Sequence, residues 1–77
     1  MNKEIIYELL CEIGIESQNI DDDTDLIAGS LLDSMSLIAL ISLMEERLGI
    51  VLNTIDYDID NFRNVHSLFN LIGKYRR

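Results

Sequence analysis

A chain of 77 residues with one cysteine and one histidine has no covalent or metal staple to fold around. Cys11 alone cannot make an intrachain disulfide, and Cys11 with His66 falls short of a zinc ligand set. Domains of this size bury only a modest core and usually lean on such staples. The route left open is a compact bundle of helices packed through Leu and Ile. A hydrophobic content of 48%, with no proline and four glycines, suits that route. At this length residues 1–77 form a single domain.

Helical periodicity is visible in separate runs. In "NKEIIYELLCEIGI", Ile6, Leu9, Leu10 and Ile13 fall on one side, and Glu4, Glu8 and Glu12 on the other. This predicts a helix over residues 3–13, capped by Asn2 and closed by Gly14 in a left-handed turn. Cys11 falls between Tyr7 and Gly14 at the edge of the apolar face, as a half-buried structural thiol. From Ser34, "SMSLIALISLMEERLGI" predicts a second helix stopped by Gly49. Its apolar stripe is wide: Leu37, Ile38, Ile41, Met44 (or Leu40) and Leu48. Such a helix is either central to the bundle or partly covered by a partner. Asn64 caps a last helix in which Val65, Leu68, Phe69 and Ile72 repeat at helical spacing. Lys74, Arg76 and Arg77 sit at its C-terminal end, as the helix dipole prefers.

The connections are punctuated rather than periodic. "IVLNTIDYDIDNF" leaves room for one brief helical turn around Asp58–Phe62. "IESQNIDDDTDLIAGSL" has no sustained period, yet Ile20, Leu26, Ile27 and Leu31 are too apolar to leave in water, so it lies over the bundle. Its Asp21, Asp22, Asp23 and Asp25 lack the EF-hand spacing, the central Gly and the terminal Glu, and predict a solvated acidic loop with no metal site. The expected fold class is therefore all-α: a four-helix bundle of three longer helices and one short, with a long ordered loop between the first two.

The formal charge of −8 argues against nucleic acid and against anionic lipid, and favours basic patches on protein partners. The longest nearly uncharged stretch, Leu26 to Met44, holds Asp33, Gly29 and four serines, and reads as a loop entering a buried helix rather than a membrane span. Lys3 and Glu4 precede a charged helix, not the apolar core of a signal peptide. The expectation is a soluble, monomeric, cytoplasmic protein without membrane insertion.

The chemistry of the chain turns on "LDSMSL", residues 32–37. Asp and Ser are favoured N-cap residues, because their oxygens satisfy the unpaired N–H groups of a first helical turn. A hydrolase built from Ser34, His66 and Asp33 is a poor alternative. No Gly-x-Ser-x-Gly elbow surrounds Ser34, His66 opens the last helix, and a domain this small hardly forms a substrate cleft. No catalytic residues are assigned.

The order of helix, long acidic loop, Asp-Ser-Met, central helix, Glu-Glu-x-Leu-Gly-Ile, short helix and capped last helix resembles the acyl carrier protein family. The likeness covers nearly the whole chain through "DTDLIAGSLLDSM", "LMEERLGIVL" and "NVHSLFNLI". It implies that Ser34 carries 4′-phosphopantetheine, with Asp33 as motif residue and helix cap, and that the chain performs no catalysis of its own. The implied partners are a phosphopantetheinyl transferase, which brings the arm from coenzyme A, and an acyl- or aminoacyl-activating ligase or transferase. "LLDS" and "TIDYDID" are most similar to stand-alone D-alanyl carrier proteins. Fatty acid, polyketide, nonribosomal peptide and D-alanyl transfer all use such an arm, and the cargo stays open.

Two departures from the family bear on partners. The positions two and five beyond the modified serine, acidic in carriers of fatty acid synthesis, are Ser36 and Ala39 here. The outward face of the second helix is small and apolar (Met35, Ala39, Ser42), and its charge begins only at Glu45 and Glu46. Met35, Ser36, Ala39, Glu45 and Glu46 form the candidate partner face, with two readings open: recognition that relies less on salt bridges along this helix and more on hydrophobic contact next to Ser34, or positions that are merely exposed and neutral. Ser30 stands where glycine is common, with Gly29 displaced by one. The competing function is a small helical protein-interaction module that docks through its oily second helix and carries no prosthetic group.

Overall fold

The computed structural model describes residues 3–75. Three α-helices form among them: α1 (Glu4–Glu12), α2 (Ser34–Leu48) and α3 (Val65–Tyr75). The predicted Asn2 cap, and Arg76 and Arg77, lie outside the described residues. Short 3₁₀ turns occupy Ser17–Asn19, Thr54–Asp56 and Ile59–Phe62. The brief fourth helix expected around Asp58–Phe62 is thus a tighter 3₁₀ element, preceded by a second one. Both start from side-chain caps: the Ile55 N–H donates to Asn53 Oδ1 at 3.1 Å, and the Asp60 N–H to Asp58 Oδ1 at 2.9 Å. Each cap begins a turn that the non-periodic sequence does not extend.

The helix boundaries follow their signals. Gly49 ends α2 at φ +65°, a left-handed conformation that costs a residue with a Cβ about 1–2 kcal/mol. Asn64 caps α3 by accepting from the Ser67 N–H at 2.9 Å.

The core is supplied by all three helices, with α3 burying Val65, Leu68, Leu71 and Ile72. Its connections contribute as fully as the helices: Ile15, Leu26, Leu32, Leu52 and Phe62 are all buried. The radius of gyration, 11.2 Å, is the about 11–12 Å of a closely packed chain of this length.

Four details of the apolar pattern differ from the sequence reading. Ile38 is 65% exposed, and Leu40 and Met44 are the fully buried residues of α2. Leu31 is 40% exposed, while its neighbour Leu32 turns inward. Cys11 is an exposed thiol rather than a half-buried one, while Ile13 and Ile15 just beyond it return to the core. Phe69 is only half-buried, and Leu71 takes the interior position beside Leu68 and Ile72.

The acidic run is not simply solvated. Asp22 accepts from the Tyr7 hydroxyl and pairs with Lys3 at 3.0 Å, and its backbone carbonyl receives the His66 N–H at 3.4 Å. Asp23 lies 3.1 Å from His66 Nε2. Asp25 accepts from the N–H groups of Ile27 and Ala28 at 3.0 and 2.8 Å and faces Arg63 at 3.2 Å. The loop is therefore tied to the starts of α1 and α3. Burial and the Asp22 carboxylate push the Tyr7 hydroxyl up to about 12, and the same bond, with Lys3, holds Asp22 below the usual carboxylate range. Among the described residues no group of His, Cys, Asp or Glu is arranged to hold a metal ion, and no helix is long and apolar enough to cross a membrane.

Candidate functional site: the start of the second helix

The approach to α2 is built by one tight turn. Leu26 is fully buried, its N–H donates to the Arg63 carbonyl at 2.7 Å, and its own carbonyl accepts from the N–H groups of Leu31 and Leu32 at 3.0 and 2.9 Å. Asp25 holds the first N–H groups of the turn. Ser30 closes it at φ +59°, the one non-glycine residue with positive φ among those described. With Leu32 buried immediately afterwards, the backbone entering Asp33 has little freedom.

Asp33 is extended, and its carboxylate accepts from the Ser36 N–H at 2.8 Å. That backbone bond, reinforced by the Ser36 hydroxyl, holds the Asp33 carboxyl below its usual range. It is ionised at neutral pH and turned onto the helix start. The cap role is thereby filled by Asp33, and Ser34, the first residue of α2, is left exposed. A group attached to its hydroxyl stands at the positive end of a helix of 15 residues, where N–H groups and the dipole favour an anion.

Beside Ser34 lies a hollow of about 320 Å³ lined by Ile27, Leu32, Leu37 and Ile59, with Ser30, Asp33 and Ser34 at its polar side. A larger depression, about 810 Å³, lies elsewhere, over Tyr7, Ile20, His66 and the aspartates of the acidic loop. The hollow beside Ser34 is a candidate through the chemistry of its polar side and not through its size, and in the larger concavity Tyr7, Asp22, Asp23 and His66 already engage one another or Lys3.

The candidate partner residues divide along the helix. Met35 is 82% exposed and stands next to Ser34, and Ala39 is exposed one turn further on. Ser36 is half-buried and engaged with Asp33. Glu45 and Glu46 lie about 17 Å away along the axis. Glu46 is exposed, whereas Glu45 accepts the Leu52 N–H at 2.8 Å and helps fix the chain beyond Gly49. The sequence reading missed Ile38 on the exposed face and Ile27 and Ile59 in the hollow. Ile59 carries no sequence signal for such a place, because the 3₁₀ turn that brings it beside Ser34 is far along the chain. His66 is at the acidic corner and Asp33 at the start of α2, so the hydrolase triad is not assembled: His66 Nε2 is held by Asp23 and its Nδ1 lies 3.2 Å from Lys3 Nζ.

Ser34 is thus an exposed residue on a capped helix start, beside an apolar hollow. The family model described as the phosphopantetheine attachment site matches residues 4–72, and the chain belongs to that family. Its cofactor is covalently bound 4′-phosphopantetheine, and carriers of this kind work with a phosphopantetheinyl transferase and acyl-handling enzymes. Neither the curated proteins nor the solved structures contain a match. The residues present fit such a group: an exposed serine hydroxyl at a helix N-terminus accommodates a phosphodiester, and the hollow offers an apolar wall to the chain beyond it.

Proposed function

We propose that residues 1–77 are a single, monomeric carrier domain with 4′-phosphopantetheine attached to Ser34. The observation that carries this reading is the division of labour at the helix start, where Asp33 supplies the cap and Ser34 is exposed. In the attachment step the Ser34 oxygen forms a bond to phosphorus as the diphosphate linkage of coenzyme A breaks. The adenosine bisphosphate leaves, and the serine proton passes to the transferase. The arm supplies a terminal thiol that holds acyl or aminoacyl groups as thioesters, and activation and transfer belong to partner enzymes. The chain's own residues position and present: Asp33 fixes the first turn of α2, Leu26 and Leu32 anchor the approach, and Met35 and Ala39 offer a small apolar face beside the arm. A cytoplasmic carrier of the D-alanyl type is the subtype supported by the "LLDS" and "TIDYDID" segments and by the absence of carboxylates at Ser36 and Ala39.

The test is intact-mass measurement after incubation with coenzyme A, magnesium and a broad-specificity phosphopantetheinyl transferase. A gain of one phosphopantetheine, lost in Ser34→Ala, is expected. An unchanged mass with several transferases would refute the attachment. Loading of D-alanine by a D-alanine-activating ligase, against loading by fatty-acyl and other aminoacyl ligases, tests the subtype.

A further inference from the structure

Ser30 adopts φ +59°, where a Cβ is disfavoured and glycine, or a locally hydrogen-bonding Asn or Asp, is the usual solution. Its N–H is used, donating to the Ile27 carbonyl at 3.1 Å. Its hydroxyl makes no hydrogen bond within the described residues that would offset the strain. Gly29, one position earlier, does not take the left-handed place; an added Cβ there would meet the Asp25 carbonyl at 3.1 Å. A serine is thus held in a glycine conformation, at a residue that lines the hollow beside Ser34.

The rest of that lining shows what the hydroxyl is for. Ile27, Leu32, Leu37 and Ile59 are apolar. Asp33 is an anion whose carboxylate faces the Ser36 N–H. Ser34 loses its O–H once it is esterified. Ser30 is then the one side-chain donor left among the residues lining the hollow, where a phosphodiester on Ser34 would bring a negative charge close to the Asp33 carboxylate. Strain retained at such a point is characteristic of functional positions. Resting on attachment at Ser34, we infer that Ser30 is a positioning residue whose hydroxyl donates a hydrogen bond to a non-bridging phosphodiester oxygen and holds the root of the arm over the hollow.

The experiment compares holo forms of the wild type, Ser30→Gly, Ser30→Ala and Ser30→Asn, each verified by intact mass. The readouts are the phosphorus NMR resonance of the phosphodiester and the difference in melting temperature between holo and apo protein. Ser30→Gly relieves the strain and is expected to melt no lower than the wild type in the apo form. Ser30→Gly and Ser30→Ala should move the phosphorus resonance in the same direction, towards that of a free phosphodiester, and lose the holo-minus-apo melting increment. Ser30→Asn, which tolerates the left-handed region and keeps a donor, should restore both. Normal mass gain with one shared phosphorus resonance and one melting increment in all four proteins would overturn the role of Ser30 alone. No mass gain in the wild type would overturn the attachment as well.

Discussion

The turn that delivers the chain to Ser34 hangs on Leu26, and Leu26→Ala measures how firmly. The side chain is fully buried, although it belongs to a connection and not to a helix. Removing the carbons beyond Cβ from a site enclosed on all sides costs the lost transfer energy and leaves a cavity; comparable buried Leu→Ala changes cost about 2.7–5 kcal/mol. A domain of 77 residues has roughly 4–12 kcal/mol of stability in total. The substitution should therefore remove about a fifth or more of it, and lower Tm by about 10 °C or more at ~4–8 °C per kcal/mol. The control is Leu31→Ala, at a side chain 40% exposed, expected to cost less than about 1 kcal/mol. Urea titration followed by circular dichroism gives both values, with the slope against denaturant unchanged if only the native state is affected. Because the Leu26 carbonyl receives Leu31 and Leu32, loading of Ser34 in Leu26→Ala should fail at temperatures where the wild type still loads. If Leu26→Ala falls within about 1 kcal/mol of the wild type, or matches Leu31→Ala, the turn is not part of the core and its role in presenting Ser34 falls with it.

Other consequences are accessible to titration and loading assays. Asp22, Asp25, Asp33 and Asp56 are held below the usual carboxylate range by hydrogen bonds, chiefly from the Tyr7 hydroxyl, the Ala28 N–H, the Ser36 N–H and the Tyr75 hydroxyl respectively. Their contribution is complete above the unfolded value of about 3.9 and is lost as pH falls through the lower folded values. Thermal melts should be flat from neutral pH to about pH 5 and then decline, with a shallower decline in Asp56→Asn; equal slopes in the two proteins would refute the Asp56 contribution. Tyr7, raised to about 12, stabilises the fold below its unfolded value near 10 and loses that contribution as pH climbs towards 12. Spectrophotometric titration should show late tyrosinate formation that is reduced in Tyr7→Phe, with Tyr75, raised by its bond to Asp56, titrating late in both proteins; an unchanged titration would remove Tyr7 from the late step. Ala39→Glu, on the exposed face of α2, should slow loading by the cognate ligase without moving Tm, and equal loading rates would remove Ala39 from the partner face.

Sequence periodicity located the helices because their apolar and polar faces alternate over several turns. It did not assign the inward face of α2. Between Leu37 and Met44 the apolar residues are too dense for a single stripe to stand out, and which of Ile38 and Leu40 turns inward is decided by tertiary packing. The acidic run was misread for a different reason. Its partners Lys3, Tyr7, Arg63 and His66 are distant in sequence, and nothing local distinguishes a carboxylate facing water from one facing a tyrosine. The candidate site was half legible. "LDS" at a helix start marked Asp33 and Ser34 through capping chemistry, whereas the hollow is assembled from Ile27, Leu37 and Ile59, which only tertiary structure brings together.

The distribution of anchors among the helices has a mechanical consequence. α3 sinks four fully buried side chains into the core over 11 residues, whereas α2 sinks Leu40 and Met44 over 15 and leaves Met35 and Ile38 in water. α2 is thus anchored near its middle by fewer fully buried side chains than α3, with Leu37, Ile41, Leu43 and Leu48 partly buried beside them. It is tied down by the Asp33 cap, by Glu45 at the Leu52 N–H and by Arg47 at Glu12. Local opening should accordingly cost less in α2 than in α3. Slow backbone exchange with deuterium should persist in α3 after much of α2 has exchanged.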